Sequence, residues 1–142
     1  MNDRLEHPSP MDATAVLFAN ETFYHAFSHR DFAVMERLWA REWPVLCIHP
    51  GWPVLTEHAA IIESWRRIFQ NSATGTVTPH YARAFVYGAM ATVVCYEEIQ
   101  GALLVANNTF IVEAGEIRII HHHASHCANP PPPETKSAPA MQ

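Results

Sequence analysis

The residues with the greatest capacity for chemistry lie near the end of the chain, in the run His121–His126, which holds four histidines. The run follows Glu116–Ile120, whose apolar and β-branched residues predict a β-strand. One face of such a strand is normally buried, and a buried imidazole needs a hydrogen-bond partner or a ligand. We therefore expect the chemistry of the protein to be centred on these histidines.

Strict alternation of side chains along this strand decides which of them share a face. It places Ile119, His121 and His123 on one face of the sheet, and Ile120 and His122 on the other. The sequence leaves open which of the two faces is buried.

A metal site is one interpretation of the histidine run. His121 and His123 would lie about 7 Å apart at their Cα atoms, near enough to share an ion. Zinc usually takes three or four ligands, and His49 or Glu97 could supply a third. The alternative is that one face makes hydrogen bonds across a dimer interface while the other lines a polar pocket without metal. We favour that alternative and assign no metal ligand.

A second candidate for chemistry is the acidic pair Glu97 and Glu98. Neighbouring strand positions face opposite ways, so only one of the two carboxylates can point into a pocket. Apolar walls would raise its pKa and make it a base near neutral pH, whereas a solvated carboxylate would do nothing. We predict that Glu97 pairs with His123 as an acid–base unit, with His49 as an acid partner.

Several further side chains are candidates for contact with a ligand. Asn108 interrupts an apolar strand, where its amide could stabilise a substrate oxygen or, as we favour, hold a neighbouring histidine. Aromatic residues at helical spacing usually form a core or a pocket wall. The predicted ligand-binding residues are His121, Asn108, Tyr24, Trp39 and Trp65.

Composition limits the class of protein. The 142 residues suit one domain, and a net charge of -5 without a basic patch argues against nucleic acid as a partner. No apolar run is long enough to cross a membrane, and residues 1–8 lack the apolar core of a signal peptide. Three widely spaced cysteines indicate free thiols. We expect a cytoplasmic location.

The pattern predicts helices in the first half of the chain and strands in the second. Helical periodicity covers 11–28, a short helix follows with Asp31 as N-cap, and a third covers 57–69 with Thr56 as candidate N-cap. A short strand covers 45–49. Four more strands, joined by hairpin-length links, cover 77–87, 91–100, 102–113 and 116–125.

This order predicts an α+β fold in which three helices pack on the concave face of a curved, mainly antiparallel sheet. We expect a flexible arm at 1–10, one domain at 11–128 and a Pro-rich disordered tail at 129–142.

Local patterns in the same order resemble the nuclear transport factor 2-like superfamily, particularly its SnoaL-like and ketosteroid-isomerase-like branches with their cystatin-like cone. The similar segments are Phe23–Phe27, Asp31–Trp39, Cys47–Trp52, Ile61–Trp65, Tyr96–Glu97, Asn107–Phe110 and Ile119–Ser125. The last of them also resembles the closing strand of the calcium/calmodulin-dependent kinase association domain. The resemblance implies a cone with an internal pocket and a homodimer formed through the other face of the sheet.

Three functions are compatible with these residues. The first is a small-molecule-binding domain which, if it is an enzyme, transfers protons without a cofactor, as in isomerisation or dehydration. His123 or Glu97 would then be the base, and Asn108 would stabilise oxygen. The second is a non-catalytic association module. The third, which we favour least, is a metal-dependent hydrolase that uses the histidines.

Overall fold

The computed structural model describes residues 9–132. Most of the predicted arm and tail, residues 1–8 and 133–142, therefore lies outside the described residues. No helix within 9–132 is long and apolar enough to cross a membrane. The elements are α1 (Ala13–His29), α2 (Phe32–Leu38), β1 (Leu46–Ile48), α3 (His58–Gln70), β2 (Val77–Tyr87), β3 (Met90–Ile99), β4 (Ala102–Glu113) and β5 (Glu116–His126).

Two of the three helices begin at an N-cap residue whose side chain accepts a backbone hydrogen bond. Asp12 accepts a hydrogen bond from the Thr14 amide at 3.1 Å to open α1. Asp31 accepts one from the Val34 amide at 3.2 Å, which confirms it as the N-cap of α2. The prediction of Thr56 for α3 is wrong, because the backbone stays extended through Glu57 and that residue takes the N-cap position without a side-chain bond.

The sheet confirms the predicted α+β fold, with three helices on a curved, mainly antiparallel sheet. Its strand order is β1-β5-β4-β3-β2, and β2 to β5 form an antiparallel meander. The short β1 lies parallel to β5, with Cys47 opposite His122. The first strand is thereby placed beside the histidine run.

The core lies between the helices and the inner face of the sheet. Phe23 of α1 makes edge-to-face contacts with Tyr24 at 4.9 Å and with Trp65 of α3 at 5.5 Å between ring centroids. At the end of α2, Trp39 is fully buried, and the next amide, that of Ala40, donates to the carbonyl of Ile119 in β5 at 3.1 Å. All three helices are thus held against the strands that carry the candidate residues.

A β-bulge changes the faces of β5. Thr109 of β4 pairs with His121 and Phe110 pairs with Ile119, so Ile120 is an extra residue with no partner of its own. The prediction of strict alternation is therefore wrong. The bulge puts His122 on the same inner face as Ile119, and both are buried, with 1% and 0% of their surface exposed.

Deletion of Ile120 would restore strict alternation across the histidine run. We expect the deletion to lower the free energy of unfolding by more than about 4 kcal/mol, because the His122 imidazole would leave the core or β5 would shift its register. The matched variant Ile120→Val keeps the extra residue and should cost about 1 kcal/mol. Urea unfolding followed by circular dichroism measures both, and equal stability of the two variants would contradict the role of the bulge.

Candidate active site

A cavity of about 250 Å³ opens between the helices and the inner face of the sheet. We call it the inner cavity. Its walls are mostly apolar, and three buried polar residues, His49, Glu97 and His122, face it with 3%, 2% and 1% of their surface exposed. Such a concavity with a few polar groups is typical of small-molecule sites. The lining residues are Phe27, His49, Pro50, Trp52, Ile68, Glu97, Ile99, Ala102, Leu104, His122 and His126.

A chain of hydrogen bonds joins two of these polar residues behind the cavity wall. Nδ1 of His122 donates to Oδ1 of Asn108 at 2.6 Å. Nδ2 of Asn108 donates to the Tyr24 hydroxyl at 3.1 Å and to Oδ1 of Asn20 at 2.9 Å. The Tyr24 hydroxyl donates in turn to Oε2 of Glu97 at 2.6 Å. We call His122, Asn108, Tyr24 and Glu97 the hydrogen-bond chain, in which every donor points toward the carboxylate.

Glu97 lies on the inner side of β3 and has an unusual acidity. Burial raises the pKa of its carboxyl group to about 7, while the hydrogen bond from Tyr24 acts in the opposite direction by stabilising the carboxylate. Both protonation states are therefore populated near neutral pH. A carboxyl group of this kind can give or take a proton in that range.

His122 is held neutral. Burial lowers its pKa well below the ordinary value, and the neighbouring imidazoles, first that of His49, lower it further. Since Oδ1 of Asn108 can only accept, the single proton of the neutral ring lies on Nδ1. Nε2 of His122 then keeps its lone pair.

His49 follows β1 directly and lines the cavity beside β5, the strand that carries His122. Its ring lies 6.0 Å from that of His122 and 4.8 Å from that of Trp65, measured between centroids. Nε2 of His49 is 2.8 Å from the Ser64 hydroxyl of α3. Burial lowers the pKa of His49 to about 4, so this ring too is neutral at physiological pH.

The predicted catalytic residues are only partly brought together. Glu97 and His49 line the inner cavity, but His123 is exposed on the far side of β5. The predicted Glu97–His123 unit is therefore wrong, and the bulge at Ile120 is the physical reason. Sequence reasoning missed His122, although it lies in the run that drew attention, because alternation was counted without an extra residue.

None of the five predicted ligand-contact residues lines the cavity. His121 is half-buried on the outer side of the sheet opposite Thr109. Trp39 and Trp65 are fully buried core residues. Asn108 and Tyr24 lie one layer behind the wall, and the favoured interpretation that Asn108 holds a neighbouring histidine is confirmed by its bond to His122. Asn108 and Tyr24 therefore influence the cavity indirectly, through their hydrogen bonds to His122 and Glu97.

The histidine run does not assemble a metal site. The pleat and the bulge send His121 and His123 to one side of the sheet and His122 to the other. Within residues 9–132, no group of three or more His, Cys, Asp or Glu side chains is arranged to hold a metal ion.

Comparison with known proteins identifies similar chains. A family model described as a SnoaL-like domain matches residues 16–129. A solved candidate dehydratase of the nuclear transport factor 2-like family from Streptomyces avermitilis is 30% identical, with 83% of this chain and 97% of that chain covered and a TM-score of 0.74. The comparison with curated protein sequences gives no match.

Two further solved structures extend the comparison. A candidate calcium/calmodulin-dependent protein kinase type II association domain from Thiobacillus denitrificans is 27% identical, covers 85% of this chain and 97% of that chain, and has a TM-score of 0.68. A candidate ketosteroid isomerase from Shewanella frigidimarina is 18% identical, with coverages of 78% and 94% and a TM-score of 0.68, and shows similarity of fold alone.

Removal of the Tyr24 hydroxyl tests the hydrogen-bond chain. We expect Tyr24→Phe to raise the pKa of Glu97 above about 7, because the carboxylate loses the donor that stabilises its charged form. A titration followed by ¹³C NMR of the Glu carboxyl groups measures the shift. Tyr87→Phe, at a side chain that is 64% exposed, is the matched control and should leave the Glu97 pKa unchanged. An unchanged or lower pKa in Tyr24→Phe would refute the assignment.

Proposed function

Because the chain belongs to the SnoaL-like domain family, we propose that it binds a small, partly apolar molecule in the inner cavity and catalyses proton transfer without a cofactor. The observation that carries this proposal is Glu97, a carboxyl group buried in an apolar cavity with a pKa of about 7. General bases work best when their pKa lies near the operating pH.

We assign the transferred proton to one oxygen of Glu97. Oε2 of Glu97 is occupied by the Tyr24 hydroxyl, so Oε1 is the oxygen free to take a proton from a bound molecule. The two neutral imidazoles, His49 and His122, would accept hydrogen bonds and orient that molecule. Glu97 would then return the proton to another atom of the same molecule, which gives isomerisation, or to a departing hydroxyl, which gives dehydration.

The identity of 30% to the candidate dehydratase supports dehydration as one of these two outcomes. In that reaction, Glu97 takes the proton of a C–H bond next to a carbonyl group, where the C–H is acidic enough for a carboxylate base. The electron pair of that bond becomes the C=C bond as the C–O bond on the neighbouring carbon breaks with its own electron pair. The departing hydroxyl takes the proton back from Glu97 and leaves as water. Atoms and electrons balance in this reaction without an electron acceptor or a cofactor.

Replacement of Glu97 tests the proposed reaction on any compound found to be converted in a screen of hydroxylated and carbonyl compounds. We expect Glu97→Gln to lower kcat by about 10²- to 10⁴-fold with the fold intact, since the amide cannot take the proton. Wild-type activity should rise with pH and level off above about 7, as the carboxylate form becomes complete.

The matched control is Glu98→Gln, at the next residue of the same strand. The Glu98 side chain lies on the other face, where it bonds His80 at 2.9 Å, so activity should stay near the wild-type level. Full activity of Glu97→Gln would refute the assignment of the base.

We also propose a homodimer formed through the outer face of the sheet, which we define by Val94, Tyr96, Val105, His121 and His123. The side chains of this face are half-buried or exposed, and Val105 in β4 is 39% exposed. Burial of such apolar surface is what drives association. The same face supports the second candidate function, an association module, since the candidate association domain is 27% identical.

A charge on the outer face tests the dimer. We expect Val105→Glu to convert a dimer into a monomer, because a carboxylate in the apolar centre of an interface is desolvated without a partner. Size-exclusion chromatography with light scattering measures the mass. The control is Val54→Glu at an exposed residue outside the sheet, 51% exposed, which should stay dimeric. A monomeric wild type would refute the dimer, and a large ring would favour the association module.

A further inference from the structure

The two imidazoles of the inner cavity have hydrogen-bonding properties that proton transfer by Glu97 does not explain. Both rings are buried, and both have partners behind the wall. His122 is bonded to Asn108, whereas Nε2 of His49 lies 2.8 Å from the Ser64 hydroxyl and 3.5 Å from Sγ of Cys47. Each ring has two nitrogens, and in a neutral ring one donates while the other accepts. The partners therefore decide which kind of atom each ring offers to a bound molecule.

The proton of His49 is fixed by Ser64. The Ser64 hydroxyl lies 2.6 Å from the Ile61 carbonyl oxygen, which can only accept, so the hydroxyl hydrogen is used there. In the hydrogen bond of 2.8 Å between Ser64 and His49, Nε2–H of the ring must then be the donor and the Ser64 oxygen the acceptor. His49 is protonated at Nε2, and Nδ1 keeps a lone pair.

The bond between Tyr24 and Glu97, at the far end of the hydrogen-bond chain, determines which nitrogen of His122 carries the proton. Since the Tyr24 hydroxyl donates to Glu97, its oxygen must accept from Asn108, which orients the Asn108 amide with Nδ2 toward Tyr24. Oδ1 of Asn108 then faces His122 and takes the proton on Nδ1. His122 therefore also keeps a lone pair, on Nε2.

The inner cavity is consequently rich in acceptors and poor in donors. It offers the two imidazole lone pairs, on rings 6.0 Å apart, and the carboxylate of Glu97. No lysine or arginine is among its lining residues, and Pro50 has no amide hydrogen. The indole N–H of Trp52 and the imidazole of His126, which is exposed, are the other polar side-chain groups of the lining.

We propose that the inner cavity selects uncharged, largely apolar molecules that carry two neighbouring hydroxyl groups, and rejects molecules of the same shape in which ketone, ether or carboxylate groups replace those hydroxyls. Each hydroxyl would donate to one imidazole lone pair. A ketone or an ether can only accept, so it would leave both lone pairs desolvated and unpaired. A carboxylate would in addition meet the negative charge of Glu97 with no cation in the wall. This inference rests on the proposed function because it names the substrate class of the same cavity.

Matched compounds test the selection by binding alone. We would use diol, dimethyl ether and ketone forms of indane, cyclohexane and biphenyl, with calorimetry at pH 8, where Glu97 is ionised and donates nothing. At least one diol should bind about tenfold more tightly than its ether and its ketone, as expected for two donated hydrogen bonds. Equal binding within every set, or no binding by any diol, would overturn the proposal.

The ring protons can be observed directly. We expect ¹⁵N NMR of histidine-labelled protein to show His49 protonated at Nε2 and His122 protonated at Nδ1. The opposite tautomer at either ring would overturn the proposal whatever compounds bind.

A variant at Ser64, outside the cavity wall, tests whether the position of the His49 proton determines the preference for a diol over a ketone. Ser64→Ala removes the acceptor that holds the His49 proton on Nε2, so the ring can place it on Nδ1 and donate to a ketone. The preference for the diol over the ketone should fall at least threefold, whereas Ser72→Ala, at an exposed residue, should keep it. An unchanged preference in Ser64→Ala would overturn the role given to His49. Diol selectivity without turnover of any compound would refute the proposed function and leave this inference standing.

Discussion

The site depends on how an ionisable carboxyl group and two imidazoles are accommodated in an apolar interior. Burial of a polar group without a partner is costly, and each of these groups has a hydrogen-bond partner behind the wall. Tyr24 of α1 forms a hydrogen bond with Glu97, and Asn108 of β4 forms one with His122. Ser64 of α3 forms one with His49. These partners meet the hydrogen-bonding requirement of the buried groups. They also determine which oxygen of Glu97 and which nitrogen of each imidazole is left free for a bound molecule.

Because α1 and α3 supply two of these partners, the helices do more than cover the sheet. Tyr24 fixes the free oxygen of Glu97, and Ser64 fixes the free nitrogen of His49. The arrangement is not fully satisfied, since Nδ2 of Asn20 and the indole nitrogen of Trp65 are buried without a partner. Each unpaired buried donor costs free energy, whereas the edge-to-face packing of Phe23 against Tyr24 and Trp65 stabilises the same region.

One inserted residue in β5 determines which histidines of the run lie on each face of the sheet. The bulge at Ile120 turns His122 into the core and leaves His121 and His123 on the outer face. The inner histidine belongs to the candidate active site, whereas the outer pair lies on the proposed dimer surface. Bulges are frequent next to active sites because they redirect one side chain without unravelling the strand.

The sequence by itself determined the fold class and the positions of the helices and strands, because periodicity, caps and hairpin links are local properties of the chain. It singled out Glu97 and His49, which line the inner cavity. It also indicated that Asn108 would hold a histidine. The sequence could not show which histidine faced inward, since a bulge depends on how two strands pair. Only the tertiary structure decided that His122 and not His123 faces the inner cavity, and that Tyr24 bonds a carboxylate 73 residues away. It also decided which partner each buried imidazole has. These facts arise from contacts between distant segments, and no local pattern encodes them.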